Sequence, residues 1–195
     1  MHIAQSPETK AIFLDKDGTL IRDVPYNADP SLVVFEAGVF DGLRTLQSEG
    51  YKLAIISNQP GLAMGKFTIG DFERLVEFFH KIFQENGLEL AGFYFCPHAP
   101  PSSCECRKPK SGMLVQAAGD LHIDLKQSWM IGDILNDVEA GNLAGCRTVL
   151  IDNGNETEWL TGPFRNPDFT ARNFLEAANY ISTQKVLTDA RTETE

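Results

Sequence analysis

Apolar residues along this chain follow two spacings. Short unbroken runs, Ala11-Ile12-Phe13-Leu14, Lys52-Leu53-Ala54-Ile55-Ile56, Gly92-Phe93-Tyr94-Phe95, Trp129-Met130-Ile131 and Thr148-Val149-Leu150-Ile151, have the length and content of buried strands. Between them, apolar positions recur every three or four residues. Val39, Leu43 and Leu46 predict a helix over 38–49 that stops at Gly50, and Phe72, Leu75, Val76, Phe79, Ile82 and Phe83 predict a longer one over 69–86. Further helices are expected over 112–121 and over 135–144, the second ending at Gly145, while Phe174, Leu175, Ala178 and Ile181 suggest a closing helix. Residues 152–171 read as loop with one short strand, and a polar tail begins near Thr183. Strands alternating with helices predict an α/β sandwich of three layers around a central parallel sheet, with ligands beyond the carboxyl ends of the strands. At 195 residues one core is expected, as a single domain over 1–182 followed by the tail 183–195.

The polar residues at the strand ends are not randomly scattered. Asp15, Ser57, Cys96 and Asp133 each stand at or just after the end of an expected strand, so one crevice could collect their loops. The densest segment is Asp15-Lys16-Asp17-Gly18-Thr19-Leu20. Alternation along extended chain sends Asp15 and Asp17 to the same side, and Gly18 permits a tight turn that brings backbone close to a bound anion. That arrangement suits phosphoryl transfer: one carboxylate can attack phosphorus and the other can carry a proton, if a divalent cation offsets their repulsion. An Asp-Gly pair is also common in plain turns, so the hexapeptide alone leaves both readings open.

Charge and cysteine content add to this picture. A formal net charge of −10 disfavours general binding to nucleic acid or anionic lipid. No apolar stretch approaches the roughly 18 residues of a membrane span, and Met1 to Lys10 lack the apolar centre of a signal peptide, which points to the cytoplasm. Of the 4 cysteines, Cys96, Cys104 and Cys106 crowd together, and with His98 they make a complete tetrahedral zinc set with no position left for a catalytic water. A structural ion bracing the loop 96–106 is therefore expected, against the alternative that small core residues meet by chance. Cys146 reads as a buried residue at a strand edge. Directly after the zinc set comes Arg107-Lys108-Pro109-Lys110. A run of bases is usually solvated, but Cys106 pins this one, which makes Arg107 a candidate for gripping a second anionic group of a substrate. Lys66 could help from a facing loop or simply be exposed.

In order along the chain, Asp15-Lys16-Asp17-Gly18-Thr19, Ser57, Lys108 and Gly132-Asp133 with Asp137 resemble the four motifs of the haloacid dehalogenase superfamily of phosphohydrolases, over residues 11 to about 182. The resemblance implies a Rossmann-like fold of the capless type, because the stretches between motifs leave no room for a large cap domain. It implies that Asp15 is the nucleophile and that Asp17 protonates the leaving oxygen and then activates water. A catalytic Mg2+ would sit among the Asp15 carboxylate, the Asp17 backbone carbonyl and the Asp133 carboxylate. Ser57 and backbone amides near Gly18 and Asn58 would hold phosphate oxygens, and Lys108 would balance charge in the transition state. Asp137 is left between orienting Lys108 or a metal-bound water and capping the helix that begins nearby.

Cys96-Pro97-His98 with Cys104-Glu105-Cys106-Arg107-Lys108-Pro109 is similar to the zinc-loop branch of that superfamily, with structural Zn2+ on Cys96, His98, Cys104 and Cys106. Its members include D-glycero-D-manno-heptose 1,7-bisphosphate 7-phosphatases and histidinol-phosphate phosphatases. The run from Ser57 to Phe67 and Ser111-Gly112-Met113-Leu114 resemble the first group, whereas the short loop from His98 to Cys104 and Lys110 resemble the second. Met64 and Ile134 stand where the heptose enzymes carry basic residues. The implied activity is hydrolysis of a small sugar phosphate, heptose bisphosphate ahead of histidinol phosphate or another small ester. The implied partner is a small phosphorylated metabolite, with no nucleic acid and no membrane, met by a monomer. A polynucleotide 3′-phosphatase would want a basic stripe studded with aromatics, and a non-catalytic zinc-braced binder would lack at least one motif acid; neither feature is found.

Overall fold

The computed structural model describes residues 9–192. Its strands are β1 (Ala11–Leu14), β2 (Lys52–Asn58), β3 (Leu90–Cys96), β4 (Trp129–Gly132), β5 (Arg147–Ile151) and β6 (Phe169–Ala171). Its helices are α1 (Val39–Ser48), α2 (Ile69–Glu85), α3 (Gly112–Leu121), α4 (Leu135–Ala144) and α5 (Phe174–Thr192). The strands pair in parallel throughout, in the order β3-β2-β1-β4-β5-β6. This is the α/β sandwich with a central parallel sheet that the alternating pattern predicts.

Both faces of the sheet are dry along β1, β2, β4 and β5, which is why these strands read as unbroken apolar runs, while β3 and β6 at its margins are only partly covered. Along β1, Ile12 and Leu14 join a core with Leu43 and Leu46 of α1, Phe72, Phe79 and Phe83 of α2, and Phe174 of α5. Ala11 and Phe13 point the opposite way, into a smaller core with Met113, Leu114 and Ala117 of α3 and Ala140 of α4. The apolar stripe of α2 is packing, as its spacing indicates: Phe72, Leu75, Phe79 and Phe83 are buried, and Val76 and Ile82 lean on the same core.

Several strands run a residue or two longer than the sequence reading, β3 among them, and two differences matter most. β2 does not stop at Ile56 but continues as Ser57 pairs with Phe95 and Asn58 with Cys96 of β3. The ladder uses backbone groups, so polar side chains do not end it, and Ser57, Asn58 and Cys96 gain the rigidity of strand. At the other end, α5 runs to Thr192, so residues 183–192 continue the helix instead of starting a separate tail. No Gly or Pro follows Phe174 to halt the helix. Residues 193–195 lie outside the described part.

The topology places the site. From β1 the chain moves to β2 and β3 on one side, then returns to put β4 on the other side of β1, where Leu14 aligns with Ile131. Loops leaving β1 and β4 therefore diverge at a switch of direction, and a crevice opens between them. Over it lies a flap from the β1–α1 connection, closed at its base by the antiparallel bridge of Ile21 with Phe35 and by the Arg22 amide donating to the Val34 carbonyl at 2.9 Å. Among the described residues, no helix is long and apolar enough to cross a membrane.

Candidate active site

Asp15 leaves β1 with its amide on the Ile131 carbonyl of β4, 2.9 Å away, so its position is set by the sheet itself. Its carboxylate meets the ammonium of Lys108, which arrives from the β3–α3 connection and is itself buried. The same ammonium pairs with Asp137 at 2.6 Å and donates to the Ile56 carbonyl at 2.8 Å. Burial alone would lower the Lys108 pKa, but Asp137 and Asp15 outweigh it and hold it above the ordinary range, so the side chain stays cationic. Asp137 fills both of the places left open for it. One oxygen orients Lys108, and the other accepts from the Ile134 amide at 3.3 Å at the start of α4.

Asp17 shares the crevice with Asp15 and is gripped at both oxygens, by Lys16 Nζ at 2.6 Å and by Gln59 Nε2 at 3.1 Å. Gln59 Nε2 also donates to the buried Ser57 hydroxyl at 2.8 Å, which links the ends of β1 and β2. Asp133 accepts from the Thr19 hydroxyl at 3.0 Å and from Asn155 Nδ2 at 2.8 Å. Asp15, Asp17, Ser57, Lys108 and Asp133 border one cavity of about 290 Å3. Sequence reasoning did not find Lys16, Gln59 or Asn155. Asn155 sits in an irregular loop with no periodic signal, Gln59 reaches Asp17 from 42 residues along the chain, and Lys16 pairs with its own neighbour Asp17, a contact that no spacing announces.

Gly18 serves differently from expectation, and Asn58 has a further role beside the expected one. The Gly18 amide, expected to meet a phosphate oxygen, donates to the Ile21 carbonyl at 2.8 Å and closes a turn. What the position requires is glycine's lack of a side chain: φ is +86°, and a Cβ there would lie 2.1 Å from Asp133 Oδ2 and 2.5 Å from Asn155 Nδ2. Gly18→Ala should therefore displace the Asp133 carboxylate and lower kcat/KM by about 100-fold while the sheet still folds. Steady-state kinetics beside a melting curve check this, and near-normal activity would show that Asp133 tolerates the shift. Asn58 works through its side chain, exchanging two 3.1 Å hydrogen bonds with the backbone N–H and C=O of Lys108, and so docks the lysine loop on the end of β2.

Charge is unbalanced at the centre. Oxygens of Asp15, Asp133 and Asp137 lie within 4.8 Å of one another, opposite the single Lys108. Burial and the neighbouring carboxylates raise the Asp15 pKa well above the ordinary value, and burial with Asp137 pushes Asp133 up to about 6. Asp137 is committed to Lys108, which leaves Asp15 and Asp133 as hard oxygen donors short of a cation. A divalent ion such as Mg2+ suits that deficit.

The second cluster fits a softer ion. Sγ of Cys96 lies 3.4 Å from His98 Nδ1 and 3.7 Å from Sγ of Cys104, and Sγ of Cys106 lies 3.3 Å from the same imidazole nitrogen. Tetrahedral zinc with bonds of about 2.0–2.3 Å spaces its ligands by roughly 3.5–3.8 Å. All four cysteines are free thiols, and Cys146 is buried and outside the cluster. Arg107 follows Cys106 with Nη1 donating to the His98 carbonyl at 3.3 Å, so it buttresses the loop and is not among the residues bordering the Asp15 cavity.

Known proteins bear on this geometry. The HAD-hydrolase-like family model matches residues 105–177. A D-glycero-beta-D-manno-heptose-1,7-bisphosphate 7-phosphatase of Helicobacter pylori is 44% identical over 133 residues, 68% of this chain and 77% of that protein. The Escherichia coli K12 protein of the same name is 41% identical over 166 residues, 77% of this chain and 87% of that one. Among solved structures, a D,D-heptose 1,7-bisphosphate phosphatase from B. bronchiseptica, complexed with magnesium and phosphate, superposes with a TM-score of 0.80 at 26% identity, covering 90% of this chain and 99% of that one. With this sheet order, these carboxylates at the switch point and identities of that size, the chain belongs to the haloacid dehalogenase-like hydrolases, in the phosphatase family that contains these relatives.

Proposed function

We propose that this phosphatase hydrolyses D-glycero-D-manno-heptose 1,7-bisphosphate at the 7-position through a phosphorylated Asp15. The observation that carries the chemistry is the placement of Asp15 at the end of β1 against a cationic Lys108, with Asp17 in the same cavity. Asp15 attacks phosphorus as protonated Asp17 gives its proton to the departing sugar oxygen; the Asp17 carboxylate then takes a proton from the water that cleaves the acyl phosphate, releasing inorganic phosphate and restoring the Asp15 carboxylate and the Asp17 acid. Lys108 balances the charge on the transferring group, and Ser57 with the backbone near Asn58 holds its oxygens. Asp15 and Asp133, with the Asp17 backbone carbonyl, are the groups that would hold Mg2+, which when bound offsets the charge of phosphate and carboxylates. Cys96, His98, Cys104 and Cys106 would hold a structural Zn2+. The reading extends to a monomer acting in the cytoplasm on a small phosphorylated metabolite.

The heptose substrate is supported by the names of relatives 41% and 44% identical to this chain and by its cationic loop. In that loop Lys108 pairs with Asp15 and Asp137 and Lys110 with Glu105 at 2.8 Å, whereas among the described residues no carboxylate pairs with Arg107, a cation that favours a doubly anionic substrate over histidinol phosphate with its ammonium. Side-by-side kinetics are expected to give a higher kcat/KM for the heptose bisphosphate, and Arg107→Ala to erode that preference. A clear preference for histidinol phosphate would overturn the assignment. Failure with both would point to another small ester, a result for which the apolar Met64 and Ile134 give a structural reason.

A further inference from the structure

The crevice continues beyond the catalytic groups. Its 290 Å3 cavity shares Asp17, Asp23 and Asn58 with one of about 250 Å3 under the flap, which in turn shares Tyr26 and Asn27 with a third of about 490 Å3 between the flap and the start of α2. None of the catalytic groups lies in the third, the largest of them.

Most charges around that far end are committed. Arg74 pairs with Asp71, Asp71 accepts from the Thr68 amide at 2.8 Å, and Asp29 accepts from the Ser31 amide at 2.9 Å. Lys66 is different. It is exposed, among the described residues no carboxylate pairs with it, and its ammonium stands 5.8 Å from the centre of the Tyr26 ring. Asn27, at the junction of the second and third cavities, is 8% exposed; its Oδ1 accepts from the Asp29 amide at 2.7 Å, while its buried Nδ2 has no hydrogen-bond partner. An orphaned amide donor of this kind is costly unless a ligand or water supplies an acceptor. Tyr26 is held at φ 57°, a conformation a bulky residue rarely takes, and is 47% exposed where it borders the second and third cavities.

From a free cation, an orphaned donor and an exposed ring around adjoining cavities that share their walls in series with the one holding Asp15, we infer that the Asn27–Lys66 end is the subsite for the far part of the substrate. Lys66 meets a second phosphate, Asn27 Nδ2 donates to a sugar hydroxyl, and the Tyr26 ring covers the carbon face of the sugar. This rests on the bisphosphate reading and adds to Arg107 a second cation, on the β2–α2 loop.

The test compares heptose 1,7-bisphosphate with heptose 7-phosphate, which lacks only the far phosphate. Lys66→Met is expected to raise KM for the bisphosphate about tenfold with kcat unchanged, to leave the 7-phosphate kinetics unchanged, and to be rescued by Lys66→Arg. Lys66 is exposed, so the variant should melt with the wild type. An unchanged KM for the bisphosphate, or equal losses on both compounds, overturns the subsite. A wild type that cleaved neither compound would sink the heptose reading by itself. Lys66 is then judged on fructose 1,6-bisphosphate against fructose 6-phosphate, where no preference for the bisphosphate, or one indifferent to Lys66→Met, overturns the subsite as well.

Discussion

Asp15→Asn is expected to lower kcat by about 10⁴-fold or more, because an amide nearly identical in shape cannot attack phosphorus and no neighbouring group can take its place. Asp133 is held by Thr19 and Asn155, and Asp137 is committed to Lys108, so neither is free to act as the nucleophile. The fold should survive. The backbone bond from Asp15 to Ile131 does not involve the side chain, and Lys108 keeps Asp137 and the Ile56 carbonyl. Electrostatics even favours the variant in metal-free protein. Burial, with the neighbouring carboxylates, raises the Asp15 pKa in the folded state above its ordinary 3.8, so its ionised form destabilises the fold above the folded pKa. That penalty fades as pH falls toward the unfolded value. Metal-free Asp15→Asn should therefore melt no lower than metal-free wild type at neutral pH, with the gap closing in acid. A Mg2+-dependent phosphatase assay decides the catalytic part, and activity above a trace would mean that the nucleophile lies elsewhere.

Removal of the ion at the cysteine cluster should lower the melting temperature by roughly 10 °C and depress kcat far less than Asp15→Asn does. Without the ion the loop keeps only a few hydrogen bonds, from Arg107 to the His98 carbonyl and from Lys110 to the Cys104 carbonyl among them, while Pro101 and Ser103 are exposed and its cysteines form no disulfide. The ion would tie Cys96, at the rigid end of β3, to Cys106, two residues before Lys108. Loss of that tie loosens the approach to Lys108, but Asn58 still holds the lysine backbone by two hydrogen bonds and Asp15 and Asp137 hold its ammonium. Stability therefore suffers first and catalysis second, and Cys104→Ser should follow the same order. Metal analysis of protein prepared without chelators should find about one zinc per chain. Finding none would end the zinc assignment, and a stripped protein with an unchanged melting curve would remove its structural role.

The strands, the helices, the acidic hexapeptide and the cysteine set could all be read from the chain in one dimension, because each depends on local spacing. Alternation and the 3.6-residue period follow from backbone geometry alone, and four soft ligands within one short loop need no distant partner to be noticed. The union of Asp15 with Asp133 is of another kind. It requires β4 to return beside β1 and not beside β3, a matter of crossover and register that no local pattern states. The same limit hid the partners of the site residues. Asn155 reaches Asp133 from a loop beyond β5, Gln59 joins Ser57 to Asp17 across two strand ends, and Asn58, expected to offer its backbone amide, also holds the Lys108 loop through its side chain. Gly18 was legible as a special position, yet its reason, room for Asp133 and Asn155, belongs to contacts far along the chain. Lys66 and Asn27 mark the boundary most clearly: the sequence left Lys66 between helping from a facing loop and being exposed and gave Asn27 no role, and only the packing of the flap against the start of α2 sets both on one cavity.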